Sequence, residues 1–508
     1  MNRTTLSLIA AGGALAVVTG FATLTAPDGS AADGPAKAAE QRPVDRSSLL
    51  CPAPSTSDLA DTAYTSFTPK SAAGAGGKGT AELVGATRAS GDDNKGDESG
   101  KGDKKAKEPA GAGKPVLAAK GVGEPVTEDA SGAEAPALVG SADGALAPGW
   151  TVQQTTTIGA GSGRGVHGLA CGAPDTDFWF PGASTAKERS DYVHLTNPDD
   201  TAAVVDIELF GPRGELDSNV GEDIQVPPHS SVPVLLSTLT DEPQTNVTAH
   251  VTARAGRVGA AVQAADEELG GDWLPASADP AGTVVLPGIP KDATSVRLVA
   301  FAPGEEDADL KVALAGPTGS ITPAGNETLH VKSGMTAAVD LGDVTKGEAG
   351  SLLLTPSEDS VPVVAALRVT RGKGARQETA FIPATAPVGD RATAADNRAK
   401  GSTLSLVAPD KTAKVRVTAS AGSEGGRPVT KTYTVKGGTT LAVEPPAPSG
   451  LKGTYALTVE QVSGTVHAAR MLELPEDGLP MFTIQTLPDD RGTITVPQAE
   501  QDLSVLQK

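Results

Sequence analysis

The feature that most constrains this chain is a repeat. Val205-Ile207-Leu209, Leu310-Val312-Leu314 and Val415-Val417-Ala419 are alternating apolar runs, each 105 positions after the one before. Alternation with period two marks a strand with one buried face. Asp206 and Glu208 then face water while Val205, Ile207 and Leu209 face inward. Other landmarks keep nearly the same offset. Trp179-Phe180-Pro181-Gly182 is echoed by Val285-Leu286-Pro287-Gly288, and Pro198, Pro303 and Pro409 each close a strand. Gly-Pro-x-Gly turns run from Gly211 to Gly214 and from Gly316 to Gly319, with Gly422 to Gly426 in the third copy. Hairpin-like segments follow at 226–234, 331–339 and 435–443. Paired alanines, Ala260-Ala261, Ala365-Ala366 and Ala468-Ala469, mark the last strand.

Within the first copy, strands are expected at 178–180, 191–195, 203–210, 223–227, 231–236, 246–253 and 257–264. Seven short strands in about 100 residues is the count of an immunoglobulin-like or fibronectin-like sandwich. The fold class is therefore all-β, tandem β-sandwich domains. A unit of this size can hold its own core, unlike the roughly 20–45-residue repeats of a solenoid. Aromatics are only 3% of the chain, so the cores must come from Val, Leu, Ile and Ala. The offsets set the copies at 174–278, 281–386 and 392–490, joined by short links where few contacts should cross. Residues 46–172 read as a degenerate fourth copy, because Val166-His167-Gly168-Leu169-Ala170 resembles Val466-His467-Ala468-Ala469-Arg470 in the last strand of the third. Within it, 90–114 is Gly, Lys, Asp and Ala with almost nothing apolar, which predicts a disordered insert. Residues 33–45 read as a polar linker and 491–508 as a tail, with one strand expected at Thr493 to Val496.

Arg3 followed by an apolar stretch from Leu6 to Ala26, then Ser30-Ala31-Ala32, predicts an export signal over 1–32. About 20 apolar residues also suffice to span a bilayer if uncut, so an N-terminal membrane anchor stays open. Cys51 and Cys171 are the only cysteines, and an even count in an exported chain predicts a disulfide between them.

The net charge of −20 argues against nucleic acid as a partner, which needs a basic face. The six histidines, His167, His194, His229, His250, His330 and His467, are scattered without the paired spacing of a zinc site. His167 and His467 are expected on matching strands in packing roles. The glycine run 159–165 lacks the Gly-Lys-Ser/Thr ending of a phosphate loop, and no Gly-x-Ser-x-Gly elbow occurs. Glu305, Glu306, Asp307 and Asp309 lack the ligand order of a calcium loop and read as an acidic turn. Catalytic, cofactor-binding and metal-ligating residues are accordingly assigned to none, and no cofactor is expected. Trp273 aligns with Phe381 at the end of a repeat, which points to packing between domains; Tyr192, Tyr433 and Tyr455 fit strand packing too.

Gly163-Arg164-Gly165-Val166-His167-Gly168-Leu169-Ala170-Cys171, then Pro174, Asp177, Trp179-Phe180-Pro181-Gly182 and Leu195-Thr196-Asn197-Pro198, resembles an uncharacterised family of exported proteins from high-GC Gram-positive (actinobacterial) bacteria. The resemblance implies a place at the cell envelope and carries over no catalytic residue. The expected function is an exported, non-enzymatic structural or protein-interaction module of the envelope, its partner an envelope protein or cell-wall polymer. The alternative is a protein that binds cell-wall polysaccharide.

Overall fold

The computed structural model describes residues 40–70, 77–89, 114–218 and 220–496. The expected export signal, residues 33–39 of the linker, nearly all of the charged insert and the end of the tail lie outside the described residues. The chain is an all-β protein of tandem sandwiches, each made of two packed antiparallel sheets. Glu40–Pro43 pairs with Thr493–Val496 in a separate two-stranded ribbon.

Residues 43–494 form one compact unit holding four sandwiches. Each begins with an entry strand: Arg46–Cys51, Asp177–Ala183, Val284–Ile289 and Arg391–Asn397. Each ends with two strands in the opposite sheet. The penultimate ones are Thr151–Ile158, Gly259–Asp266, Val364–Arg371 and His467–Glu473. The last, here called axial strands, are Gly165–Ala170, Gly270–Leu274, Glu378–Pro383 and Phe482–Thr486. The far edge of that sheet is a rim strand: Val126–Ser131, Ser230–Leu235, Thr336–Gly342 and Thr439–Val443.

The alternation that opened the sequence is the core. Val205, Leu209, Val415, Val417 and Ala419 are fully buried and Ile207, Leu310, Val312 and Leu314 nearly so, while Asp206, Glu208, Lys311 and Arg416 point outward on the same strands. The three large apolar clusters each fill one sandwich with Val, Leu, Ile and Ala. Burial at about 25 cal/mol per Å² is what holds such sheets face to face.

Four sequence expectations are corrected. The hairpin-like segments are not hairpins: Ile224–Val226 pairs with Ala203–Gly211 in one sheet, while Ser230–Leu235 pairs with Arg189–Thr196 in the other. Pro227 and Pro228 sit at the crossing, where proline cannot extend a ladder. Each copy also has the axial strand, absent from the seven-strand reading, and the second, third and fourth add a short strand after the central one, Gly214–Glu215, Ser320–Ile321 and Gly425–Arg427. Residues 46–172 form a full two-sheet sandwich, four strands in each sheet where the later copies have four to six; the filling differs too, with Thr62, Tyr64, Gln154 and Thr156 buried and Thr62 bonded to Thr156 at 2.9 Å. Lastly, the copies are not separable at their links, because their inner strands pack on one another.

That packing closes a cycle. The axial strands meet first with second, second with third, third with fourth and fourth with first. The entry strands of the first, second and third sandwiches pack on the penultimate strands of the next, and Arg391–Asn397 returns to Thr151–Ile158 of the first.

Candidate functional site: the ring axis and the joints around it

Glycine lets the axial strands approach. Gly165 has φ 140° and Gly270 φ 76°, where side chains are disfavoured. A Cβ on Gly165 would meet the Gly271 carbonyl at 2.7 Å, and one on Gly168 would meet Thr483 Cγ2 at 2.4 Å. The axis is therefore solid. Polar contacts bridge both diagonals of the ring. Arg164 of the first sandwich donates from Nε to Glu378 Oε1 of the third at 2.9 Å, and from Nη2 to the carbonyls of Glu268 and Gln377. Asp272 of the second reaches the fourth: its Oδ1 accepts from Thr483 Oγ1 at 3.2 Å. The same oxygen accepts from Gly168 N of the first sandwich and from its own neighbour Trp273 N.

Asp272 and Glu378 are each about 1% exposed. Burial holds the Asp272 carboxyl well above its usual range, against the bonds from Gly168, Thr483 and Trp273 and the charge of Arg470 that favour ionisation. Burial likewise pushes Glu378 up to about 7, with Arg164 pulling the other way. Arg470, fully buried in the fourth sandwich, is pushed down to about 10 by burial. Its Nη2 donates to Gln485, whereas its Nε and Nη1, like Asp272 Oδ2, have no hydrogen-bond partner among the described residues. Val262–Leu274 and Leu367–Ile382 stand where the fourth sandwich has Arg470–Gln485. The pair is wholly polar in the fourth copy alone; the first, with Leu169–Gln154, is polar on one side. Both carboxylates are sealed from solvent, so no substrate reaches them in this arrangement.

The joints share one device. Thr336 Oγ1 of the third sandwich donates to Phe210 O of the second at 2.7 Å and is hydrogen-bonded with Thr248 Oγ1 at 3.0 Å. Thr440 of the fourth does the same to Ala315 O and Ser351 Oγ of the third, at 2.7 and 2.9 Å. Thr127 of the first meets Thr454 of the fourth at 2.9 Å. At the remaining joint, Thr87–Arg88 of the first sandwich joins the rim strand of the second as a parallel strand.

The expected disulfide is present: Cys51 and Cys171 are bridged, Cα atoms 4.6 Å apart. They lie at the end of the entry strand and just past the axial strand of the first sandwich. His167 and His467 do not share a strand type; one is axial, the other penultimate. Burial lowers His167 and His194 to about 4, and His467 Nδ1 meets Thr385 O at 3.0 Å. His250 stacks on Trp179 with centroids 3.6 Å apart, between Asp177 and Glu208. In the acidic turn, Asp307 and Asp309 both face His330. Among the described residues, no three His, Cys, Asp or Glu side chains gather as a metal would need. All three tryptophans are buried; Trp273 packs on Leu169 of the first sandwich and Phe381 on the core of the second, as the repeat of this position indicated.

Residues 126–446 match a family of unknown function, DUF5719. The chain belongs to DUF5719. The match covers more than half of the chain, from the rim strand of the first sandwich to just past that of the fourth. It takes in Arg164, Gly168, Asp272 and Glu378 of the DUF5719 ring axis, and stops before Arg470 and Thr483. No curated protein matches the chain.

Proposed function

We propose that the protein is an exported, non-enzymatic module of the bacterial cell envelope, a rigid ring that presents its joints and rims to other envelope proteins. The observation that carries this is the buried Cys51–Cys171 bridge, since such bonds persist in oxidising compartments. The paired, sealed carboxylates of the axis fit a role in holding the ring together rather than in turning over a substrate. Cell-wall polysaccharide is the weaker alternative, because sugar-binding sandwiches usually expose aromatic rings and the tryptophans here are all buried.

The test is fractionation of the native host followed by in-cell crosslinking and capture with the tagged full chain. Recovery in the envelope fraction with defined protein partners supports the reading. Recovery in the cytoplasm with both thiols reduced overturns it.

A further inference from the structure

Repeats offer an internal comparison. On the face that each axial sheet turns to the preceding sandwich, three positions lie side by side in register. In the third sandwich they are Arg297, Val299 and Arg368, with Arg297 opposite both Asp340 and Arg368. In the fourth they are Thr403, Ser405 and Met471. Two arginines and a valine have become a threonine, a methionine and a serine. The space they leave is a groove of about 610 Å³ between the third and fourth sandwiches, lined by these residues and by Lys291, Glu348 and Lys436 among others.

One side of the groove is the rim strand Thr439–Val443, which among the described residues pairs only with Ser402–Ala408. In an antiparallel pair, alternate residues turn their N–H and C=O away from the partner. Thr440 is such a residue, for its N–H goes outward to Gly316 O at 2.9 Å. Ala442, two positions on, turns the same way, and among the described residues no backbone group outside its own sheet meets it. In the second sandwich the matching edge is taken: Ser230 and Ser231 pair with the extended Thr87–Arg88. Pro233, opposite His194, stands where Ala442 stands opposite Ser405, and proline removes the donor.

We propose that this groove binds a short extended peptide of a partner protein, added as a strand along Ala442 and Glu444. Thr87–Arg88 shows that this edge accepts an added strand in a sister copy, one step earlier along it, at Ser230 and Ser231, which match Thr439 and Thr440. Strand addition draws affinity from main-chain bonds and specificity from alternate side chains. Asp292, Arg371 and Glu473 are already paired with one another. Two carboxylates on one guanidinium leave that cluster one negative charge, while Lys291 and Lys436 balance Glu348 and Glu444, and a lining this close to neutral favours an uncharged peptide segment. Ala442, Ser405 and the proline-rich wall at Pro290 and Pro317 select small side chains such as Ala, Ser, Thr and Val. The proposal rests on the interaction-module reading and gives it a site and a partner class.

The test uses the full chain and a fluorescent pool of capped hexapeptides built from Ala, Ser, Thr and Val. Saturable binding is expected, weakened at least tenfold by Ala442→Pro and by Met471→Arg, and unchanged by Arg416→Ala on the opposite sheet. Peptide should also slow hydrogen exchange at the amides of Ala442 and Glu444. If Ala442→Pro does not fold, Met471→Arg and Thr403→Arg, which restore the filling of the third sandwich, carry the comparison. Absence of saturable binding, or binding indifferent to variants that melt like the parent, overturns the proposal. So does protection of those amides by a cell-wall oligosaccharide instead of peptide. An envelope partner whose capture survives Met471→Arg would refute the groove while leaving the interaction reading intact.

Discussion

Asp272 is the residue on which the axis turns, and two substitutions separate its roles. Its Oδ1 satisfies three donors: Gly168 N–H from the first sandwich, Thr483 O–H from the fourth and Trp273 N–H beside it. Asp272→Ala leaves the two backbone donors buried and unpaired, at about 1–3 kcal/mol each; the threonine hydroxyl can turn elsewhere. Removing a carboxyl that burial already disfavours in its charged form offsets part of that loss. A net destabilisation of about 2–4 kcal/mol is expected. Asp272→Asn keeps the acceptor and drops the charge, and should cost no more than about 1 kcal/mol. Calorimetry ranks the three proteins, and hydrogen exchange at Gly168 localises the effect to the joint between the first and second sandwiches. An alanine variant that melts like the parent with Gly168 still protected would refute the shared-acceptor role of Asp272. Asparagine as damaging as alanine would refute it equally, for then charge and not the shared acceptor holds the axis.

Other outcomes follow from burial and pairing. Removing the disulfide by Cys51→Ala with Cys171→Ala opens a loop of 120 residues, worth about 5 kcal/mol in the chain-entropy account; the first sandwich should then melt in a separate, earlier calorimetric transition, and an unchanged trace would contradict this. Val312→Asp should unfold the third sandwich by burying an unpaired charge at a position 2% exposed, while Lys311→Asp on the same strand stays folded by circular dichroism. His194 is held neutral to about pH 4, so the unfolded chain takes up its proton first and the folded state loses stability as pH falls from 6.5 towards 4. His194→Gln should flatten that acid limb by up to about 1.4 kcal/mol per pH unit, and an unaltered slope would show that His194 does not titrate as argued.

What the sequence displayed and what it hid have physical causes. Val205, Leu310 and Val415 stood out because each strand has one wet face and one dry face. The axial strands have none: all five residues of Gly270–Leu274 are buried, so alternation vanishes, and Gly270-Gly271-Asp272 reads as a turn. Only the recurrence of Trp273 as Phe381 pointed there. The polar axis was illegible for another reason. Arg164, Asp272, Glu378 and Arg470 each look like solitary charges in separate copies, and only closure of the cycle brings Arg164 to Glu378 and Asp272 towards Arg470. The groove appears once the copies are laid over one another in their sheet register, which the 105-residue offset approximates but does not fix.

Closure carries an evolutionary consequence. An open tandem array can gain or lose a copy by duplication or deletion, since each new unit meets only its neighbours. Here the entry strand Arg391–Asn397 already rests on Thr151–Ile158, and the diagonals are tied by Arg164–Glu378 and Asp272–Thr483. A fifth copy would have no seat, and deleting any one would break a diagonal: loss of the first would strand Glu378 without Arg164, and loss of the fourth would strand Asp272 without Thr483. The number of sandwiches is thus locked at four, and change is confined to what each joint holds, as the exchange of Arg297 and Arg368 for Thr403 and Met471 illustrates.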